Sequence, residues 1–118
     1  MARPSNLKRD PVIISLAQQF SRHPGPRFAR QGSHSGESFR ARIVRALGDS
    51  DLVVVDLDGT SGIGSSFLDE AFGGLVFKEG MSKDEVRRRV RIKSDEDSTY
   101  IAEVEEAITL AEPERAYA

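Results

Sequence analysis

Apolar and polar residues follow two different periods along the chain, and each period predicts a different kind of element. Residues Leu52–Leu57 are almost continuously apolar, which predicts an interior strand covered on both faces. After a polar, glycine-rich loop at 58–64, apolar residues recur at the spacing i, i+3, i+4, i+7 and i+8. This spacing predicts a helix that begins near Ser65 or Ser66. Its apolar positions are Leu68, Ala71, Phe72, Leu75 and Val76.

The N-terminal part of the chain predicts a hairpin of antiparallel strands. Residues Val12–Phe20 begin with β-branched side chains after Pro11, a pattern typical of a strand. The segment His23–Pro26 places a glycine between prolines, which favours a turn. Residues Arg27–Arg30 then alternate polar and apolar side chains, so we expect them to pair with the first strand.

Capping signals and periodicity predict the remaining elements. Ser35 is a candidate N-cap for a helix with an apolar face. Ser82 and Glu85 have the spacing of a capping box, which predicts the start of a short helix. The alternation at 90–93 predicts a half-buried strand, and the periodicity of 100–111 predicts a last helix.

Together these patterns predict an α/β fold. We expect one domain that spans residues 1–118, with a mixed sheet of about four strands that includes the N-terminal hairpin and is covered by helices. Residues 1–10 and 113–118 are expected to be frayed termini. The residues expected in the core are Phe39, Val54, Leu68, Phe72, Leu75 and Ile108.

The composition narrows the classes of function. The chain has 118 residues with 17 basic and 19 acidic side chains, so it lacks the surplus of cations typical of nucleic-acid-binding proteins. It has no cysteine and 2 histidines, which argues against disulfides, a thiolate zinc site or another metal site. No apolar run approaches the roughly 20 residues that span a bilayer. We therefore expect a cytoplasmic protein that binds neither membranes nor nucleic acids and carries no cofactor.

Carboxylates that follow the predicted interior strand suggest one kind of chemistry. The segment Val53–Thr60 resembles the opening motif of the haloacid-dehalogenase superfamily, in which Asp56 would attack phosphorus, Asp58 would act as acid and base, and both would hold Mg²⁺. Such enzymes also need a later serine or threonine, a lysine and a further acidic pair, for which Lys93, Asp95 and Asp97 are a poor substitute. A small Mg²⁺-dependent phosphatase or phosphotransferase is the alternative function, and we assign no catalytic residue.

The glycines of the same loop suggest a second kind of site. Gly62 and Gly64 begin the spacing of a dinucleotide-binding loop, but Phe67 stands where the third glycine is needed for close packing of helix and strand. We interpret the glycines as the backbone freedom that a tight loop requires.

A longer stretch of the sequence resembles a known family. Residues 56–76, preceded by Ser35–Arg40, look like the bacterial STAS-like domain of unknown function, and the similarity extends from about Pro24 to Ile108. That family is similar to STAS domains, which are named after sulphate transporters and anti-sigma factor antagonists. The resemblance implies a single STAS-like domain that acts as a non-enzymatic regulatory module. It also implies a protein partner, either a histidine-kinase-like ATPase or a related regulator of the anti-sigma type.

The resemblance further implies a candidate phosphorylation site. In anti-sigma factor antagonists the loop after the central strand carries the sequence Asp-Ser-Ser-Gly, and a partner kinase phosphorylates the second serine. Ser66 matches that serine, whereas Gly64 and Phe67 replace the aspartate and the glycine. The alternative interpretation is that Ser65 or Ser66 only caps the following helix.

The partner of such a module would bind the loop after the central strand and the start of the next helix, because this loop projects from a rigid strand. We expect the residues of this loop and of the helix start to be accessible. Gly73 and Gly74, later in the same helix, form a separate feature, which either packs inside the fold or admits a partner helix. The residues expected at the partner-binding surface are Asp58, Gly62, Ile63, Gly64, Ser65, Ser66, Phe67 and Glu70.

Overall fold

A computed structural model describes residues 10–113 of the chain. They form a sheet of 3 strands, β1 (Val12–Ser15), β2 (Val53–Asp56) and β3 (Val90–Lys93), in the order β1-β2-β3. Both pairs of neighbouring strands are parallel. The fold is therefore α/β as predicted, but the expected mixed sheet of about four strands is wrong. The frayed termini expected at 1–10 and 113–118 lie almost wholly outside the described residues.

The predicted N-terminal hairpin is also wrong. Instead of continuing to Phe20, the strand ends at Ser15, whose side chain accepts a hydrogen bond from the Gln18 N–H and so caps α1 (Leu16–Gln19). Residues Ala29–Gln31 form a turn of 3₁₀-helix rather than a strand.

The alternating polar and apolar side chains of Arg27–Arg30 make local contacts instead of pairing with a strand. The guanidinium of Arg30 lies 5.0 Å from the centroid of the Phe28 ring, which is a cation–π contact. The turn before it is closed by the Gly25 N–H, which donates to the His34 carbonyl. Among the described residues, β1 pairs with β2 and not with residues 23–31.

The predicted helix starts agree with the structure. The Ser35 side chain caps α2 (Gly36–Asp49) by accepting from the Ser38 N–H, and Ser82 caps α5 (Lys83–Arg89) in the same way. The helix after β2 begins at Ser65, within the predicted limits. The remaining helical segments are α3 (Ser65–Leu68), a π-helical turn at Asp69–Gly73, α4 (Gly74–Phe77) and α6 (Thr99–Leu110).

Among residues 10–113, helices cover one face of the sheet and leave the other open. Crossovers between parallel strands are nearly always right-handed, so two crossovers in the same direction along the sheet put their helices on the same face. Val53 and Val55 on that face are fully buried, whereas Ile13 on the other face is 64% exposed. Val54 shares the open face with Ile13 and is only half-buried, so its predicted place in the core is wrong.

The core lies between the sheet and the helices. The other five residues predicted there are all buried. Phe39 of α2 is packed against the rings of Phe20, Phe67 and Phe72, with centroid distances of 5.2, 6.0 and 6.5 Å. Within residues 10–113, no helix is both long enough and apolar enough to cross a membrane.

Candidate functional site

The loop between β2 and α3 is anchored by hydrogen bonds along its length. The Asp56 carboxylate accepts from the Asp58 N–H at 2.9 Å, and the Thr60 hydroxyl donates to the Leu57 carbonyl at 3.1 Å. The Ile63 N–H donates to the phenol oxygen of Tyr100 on α6 at 3.0 Å. These hydrogen bonds hold the loop at both of its ends and fix its shape.

A lysine from the next strand organises the carboxylates of this loop. Lys93 Nζ lies 2.7 Å from Asp58 Oδ2, 3.1 Å from Asp95 Oδ2 and 3.9 Å from Asp56 Oδ2. The Glu96 N–H and then Lys93 lower the pKa of Asp58, because both stabilise its ionised form. The hydrogen bonds to Asp58 and Asp95 raise the pKa of Lys93.

This cluster gives each carboxylate of the phosphatase-like motif a structural role. Asp56 closes the turn after β2, and Asp58 joins that turn to the segment after β3. Lys93 offsets part of the negative charge of these carboxylates. In the part of the chain that the structure describes, no group of three or more histidine, aspartate or glutamate side chains could hold a metal ion.

Part of the predicted partner-binding surface is buried. Phe67 is completely buried and stacks against Phe39, and Glu70 is 2% exposed. Ile63 is also buried. The expectation that these side chains are accessible is wrong, because the helix that follows the loop is embedded in the core. Gly62, Gly64, Ser65 and Ser66 are exposed as expected, and Asp58 is half-buried.

Glu70 belongs to a buried ion-pair network that the sequence analysis missed. Its carboxylate accepts from Arg40 at 2.7 Å, and Arg40 is itself buried and also binds Glu79 at 3.0 Å. Arg27 joins the network with distances of 2.5 Å to Asp69 and 3.4 Å to Glu70. The hydrogen bond to Asp69 raises the pKa of Arg27. These pairs connect α2 to the π-helical turn.

A signal for this network was present in the sequence. Arg40 falls beside Phe39 and Ile43 on the apolar face of its helix, and Glu70 lies between apolar residues of the next long helix. Charged side chains at core-facing positions are rarely buried unless they are paired with an opposite charge. The opposite signs of these charges therefore indicated a buried pair.

Glycines allow these helices to approach one another. A Cβ atom at Gly36 would lie 2.5 Å from the Phe67 carbonyl oxygen, and one at Gly74 would lie 2.5 Å from Arg40. A Cβ at Gly73 would lie 3.2 Å from the Ala107 carbonyl oxygen of α6. Gly73 and Gly74 thus pack inside the fold, and this face has no space for a partner helix.

Ser65 and Ser66, the first two residues of α3, are exposed to solvent. The N-cap of α3 is Gly64, and no side chain caps this helix, so the capping role considered for the serines is wrong. Neither serine hydroxyl has a hydrogen-bond partner among residues 10–113. Both serines line a cleft of about 260 Å³ between α3 and α6. The other residues of the cleft are Arg27, Asp69, Glu103, Glu106, Ala107 and Leu110.

Comparison with known proteins identifies a family. A protein-family model described as a STAS-like domain of unknown function matches residues 35–100, which is more than half of the chain. The resemblance predicted from the sequence is thereby confirmed. The match runs from the cap of α2 to the start of α6 and includes the whole loop after β2. No curated protein and no solved structure matches the chain.

Proposed function

We propose that this chain, which belongs to the family of STAS-like domains of unknown function, is a non-enzymatic module that binds a regulatory protein through the exposed surface around Ser66. The partner is a histidine-kinase-like ATPase or another regulator of the anti-sigma type. The observation that carries the proposal is a pair of exposed serine hydroxyls, without partners in residues 10–113, at the end of an anchored loop. A preformed, accessible surface favours binding, because little conformational entropy is lost in the complex.

The match of Ser66 to the phosphorylated serine of anti-sigma factor antagonists supports Ser66 as the switch, and the residues of the cleft suggest a mechanism. A phosphate on Ser66 would add a charge of about −1.5 to −2. The cleft already contains the carboxylates of Asp69, Glu103 and Glu106 and one guanidinium, that of Arg27. The phosphate would compete with Asp69 for Arg27 and would repel an acidic partner surface. Modification would therefore change the surface without unfolding the core.

The lack of catalysis is part of this proposal. The Asp56 and Asp58 carboxylates accept hydrogen bonds that fix the loop, and among residues 10–113 no group of three or more acidic or histidine side chains could complete a Mg²⁺ site around them. The alternative Mg²⁺-dependent phosphatase built on Asp56 and Asp58 has only its sequence motif in support. Phosphate-ester hydrolysis that Asp56→Asn abolishes would favour that alternative.

The switch is tested with Ser66→Ala, Ser66→Asp and the neighbouring control Ser65→Ala. We expect the chain recovered from native cells to carry a phosphate in wild type and in Ser65→Ala, but not in Ser66→Ala, as measured by intact mass. Ser66→Ala should bind the recovered partner like wild type. Ser66→Asp should bind about tenfold more weakly or worse, because like charges face each other.

Stability measurements separate this switch from a structural effect. The melting temperatures of all three variants should equal that of wild type, since neither serine caps the helix. An unmodified wild-type chain, or equal partner affinity for wild type, Ser66→Ala and Ser66→Asp, would contradict the proposal.

A further inference from the structure

The outer edge of β1 has no partner strand among residues 10–113. The Val12 N–H donates to the Leu52 carbonyl, so Val12 and Ile14 direct their backbone groups toward β2. By the alternation of a strand, the N–H and C=O of Ile13 point away from the sheet. The N–H of Ser15 is already occupied by the Gln19 side chain. This edge therefore offers main-chain hydrogen bonds at Ile13.

A groove runs beside this edge. It has a volume of about 200 Å³ and lies between β1 and α2. Its floor is apolar, with Val12, Ile14 and Ala46, and the exposed side chains of Arg42 and Arg45 stand on its helix side. On the opposite face of the strand, the Ile13 side chain is 64% exposed.

We propose that this edge and groove bind an extended acidic segment of a partner protein, which adds to the sheet as a strand beside β1. Main-chain hydrogen bonds to Ile13 would hold the segment, and its alternate side chains would fall into the groove and onto the exposed Ile13 side chain. Its acidic residues would pair with Arg45 and with the remaining N–H groups of Arg42, whose guanidinium also donates to the Gln19 carbonyl at 2.9 Å. Asp49 lines the groove at the C-terminal end of α2, which places the acidic residues toward the arginines.

Charge distinguishes this occupant from a second copy of the chain. Two copies that paired their β1 edges about a two-fold axis would bring the α2 helices of both copies to the same junction. Arg42 and Arg45 of one copy would then face the same arginines of the other, and like charges across an interface are costly. Arg45 has no hydrogen-bond or ion-pair partner among the described residues, so it is available to an acidic ligand.

The test uses a labelled peptide of about seven residues in which valine and glutamate alternate, with a valine and lysine peptide as the control. We expect weak, saturable binding of the glutamate peptide to the full chain, with perturbed NMR amide signals in β1 and α2. The lysine peptide should not bind. Because the site is separate from the Ser66 cleft, Ser66→Asp should bind the peptide like wild type, so failure here leaves the proposed switch unaffected.

Two substitutions localise the binding. Ile13→Pro removes an N–H that faces away from β2, so the chain should fold but lose the peptide. Arg45→Glu should weaken binding about fivefold or more, whereas the matched control Arg88→Glu, an exposed arginine on α5, should leave it unchanged. Equal binding by folded Ile13→Pro, equal effects of the two arginine variants, or a dimer that Ile13→Pro dissociates would overturn the proposal.

Discussion

At the level of single residues, the carboxylates of the phosphatase-like motif make the contacts that anchor the loop after β2. Asp56 and Asp58 were visible in the sequence, but their common partner Lys93 is 35 residues beyond Asp58. The lysine reaches them because β3 pairs in parallel with β2 and puts Lys93 opposite Asp56. The apolar patterns of β2 and β3 predict both strands but not their register, and therefore the ion pair could not be predicted from the sequence.

The pKa of Asp58 makes this pair testable by pH. A folded pKa below the usual 3.8 means that the ionised carboxylate stabilises the fold above about pH 4, and that this contribution is lost as the pH falls through the folded pKa. We therefore expect Asp58→Asn to be less stable than wild type at neutral pH, with a difference that shrinks below about pH 4. Urea unfolding across this range measures it.

Asp95 provides the control for that experiment, because its side chain is 78% exposed and makes one contact in the same cluster. Asp95→Asn should change the free energy of unfolding by less than about 1 kcal/mol. A difference between wild type and Asp58→Asn that stays constant or grows at acid pH would show that Asp58 does not act through its charge.

At the scale of elements, sequence periodicity identified the helix after β2 but not its surroundings. The predicted apolar positions are buried, but so are Glu70, Gly73 and Gly74. A π-helical turn, Asp69–Gly73, interrupts the regular pattern. This helix is enclosed by α2 and α6 as well as by the sheet, and an amphipathic pattern reports only one buried face.

The close approach of α2 to this helix can be tested at Gly74. In an open helical position an alanine would be favoured by up to about 1 kcal/mol, because glycine is a poor helix former. A Cβ at Gly74, however, would lie 2.5 Å from the Arg40 guanidinium, which is held in place by Glu70 and Glu79. We expect Gly74→Ala to lower the free energy of unfolding by about 1–3 kcal/mol in urea titrations.

Gly48 is the matched control, since it lies in α2 and a Cβ there would meet nothing within 4 Å. Gly48→Ala should raise the free energy of unfolding by about 0.5–1 kcal/mol. If Gly74→Ala stabilises the protein as much as Gly48→Ala does, the buried contact between Arg40 and the second helix is absent in solution.

At the scale of the whole molecule, the fold is a parallel sheet with its helices on one face. The apolar run of β2 predicted a strand covered on both faces, and its central position was correct. The sequence pattern did not predict that one face is open. Which face the helices cover depends on the order of the strands in the sheet, and residues far apart in the sequence determine that order. Parallel sheets are usually covered on both faces, so the face around Val54, which no helix of the described part of the chain covers, is an unusual feature.

Substitutions of two neighbouring valines on β2 can test the difference between the covered face and the open face of the sheet. Val55 is fully buried under the helices and Val54 is half-buried on the open face, so the same substitution can be made on both sides of one strand. Threonine has nearly the shape of valine and a similar preference for strands, and therefore the added hydroxyl is the main change. Val55→Thr should lower the free energy of unfolding by about 1–3 kcal/mol, because the new hydroxyl group is buried away from water among apolar side chains.

Val54→Thr should cost less than about 1 kcal/mol, since its hydroxyl remains hydrated. Urea unfolding of both variants at several protein concentrations gives the comparison. Equal losses would mean that the second face is covered in solution. If the decrease in the free energy of unfolding caused by Val54→Thr also depended on protein concentration, a second copy of the chain would cover this face. Only association makes the apparent stability depend on protein concentration.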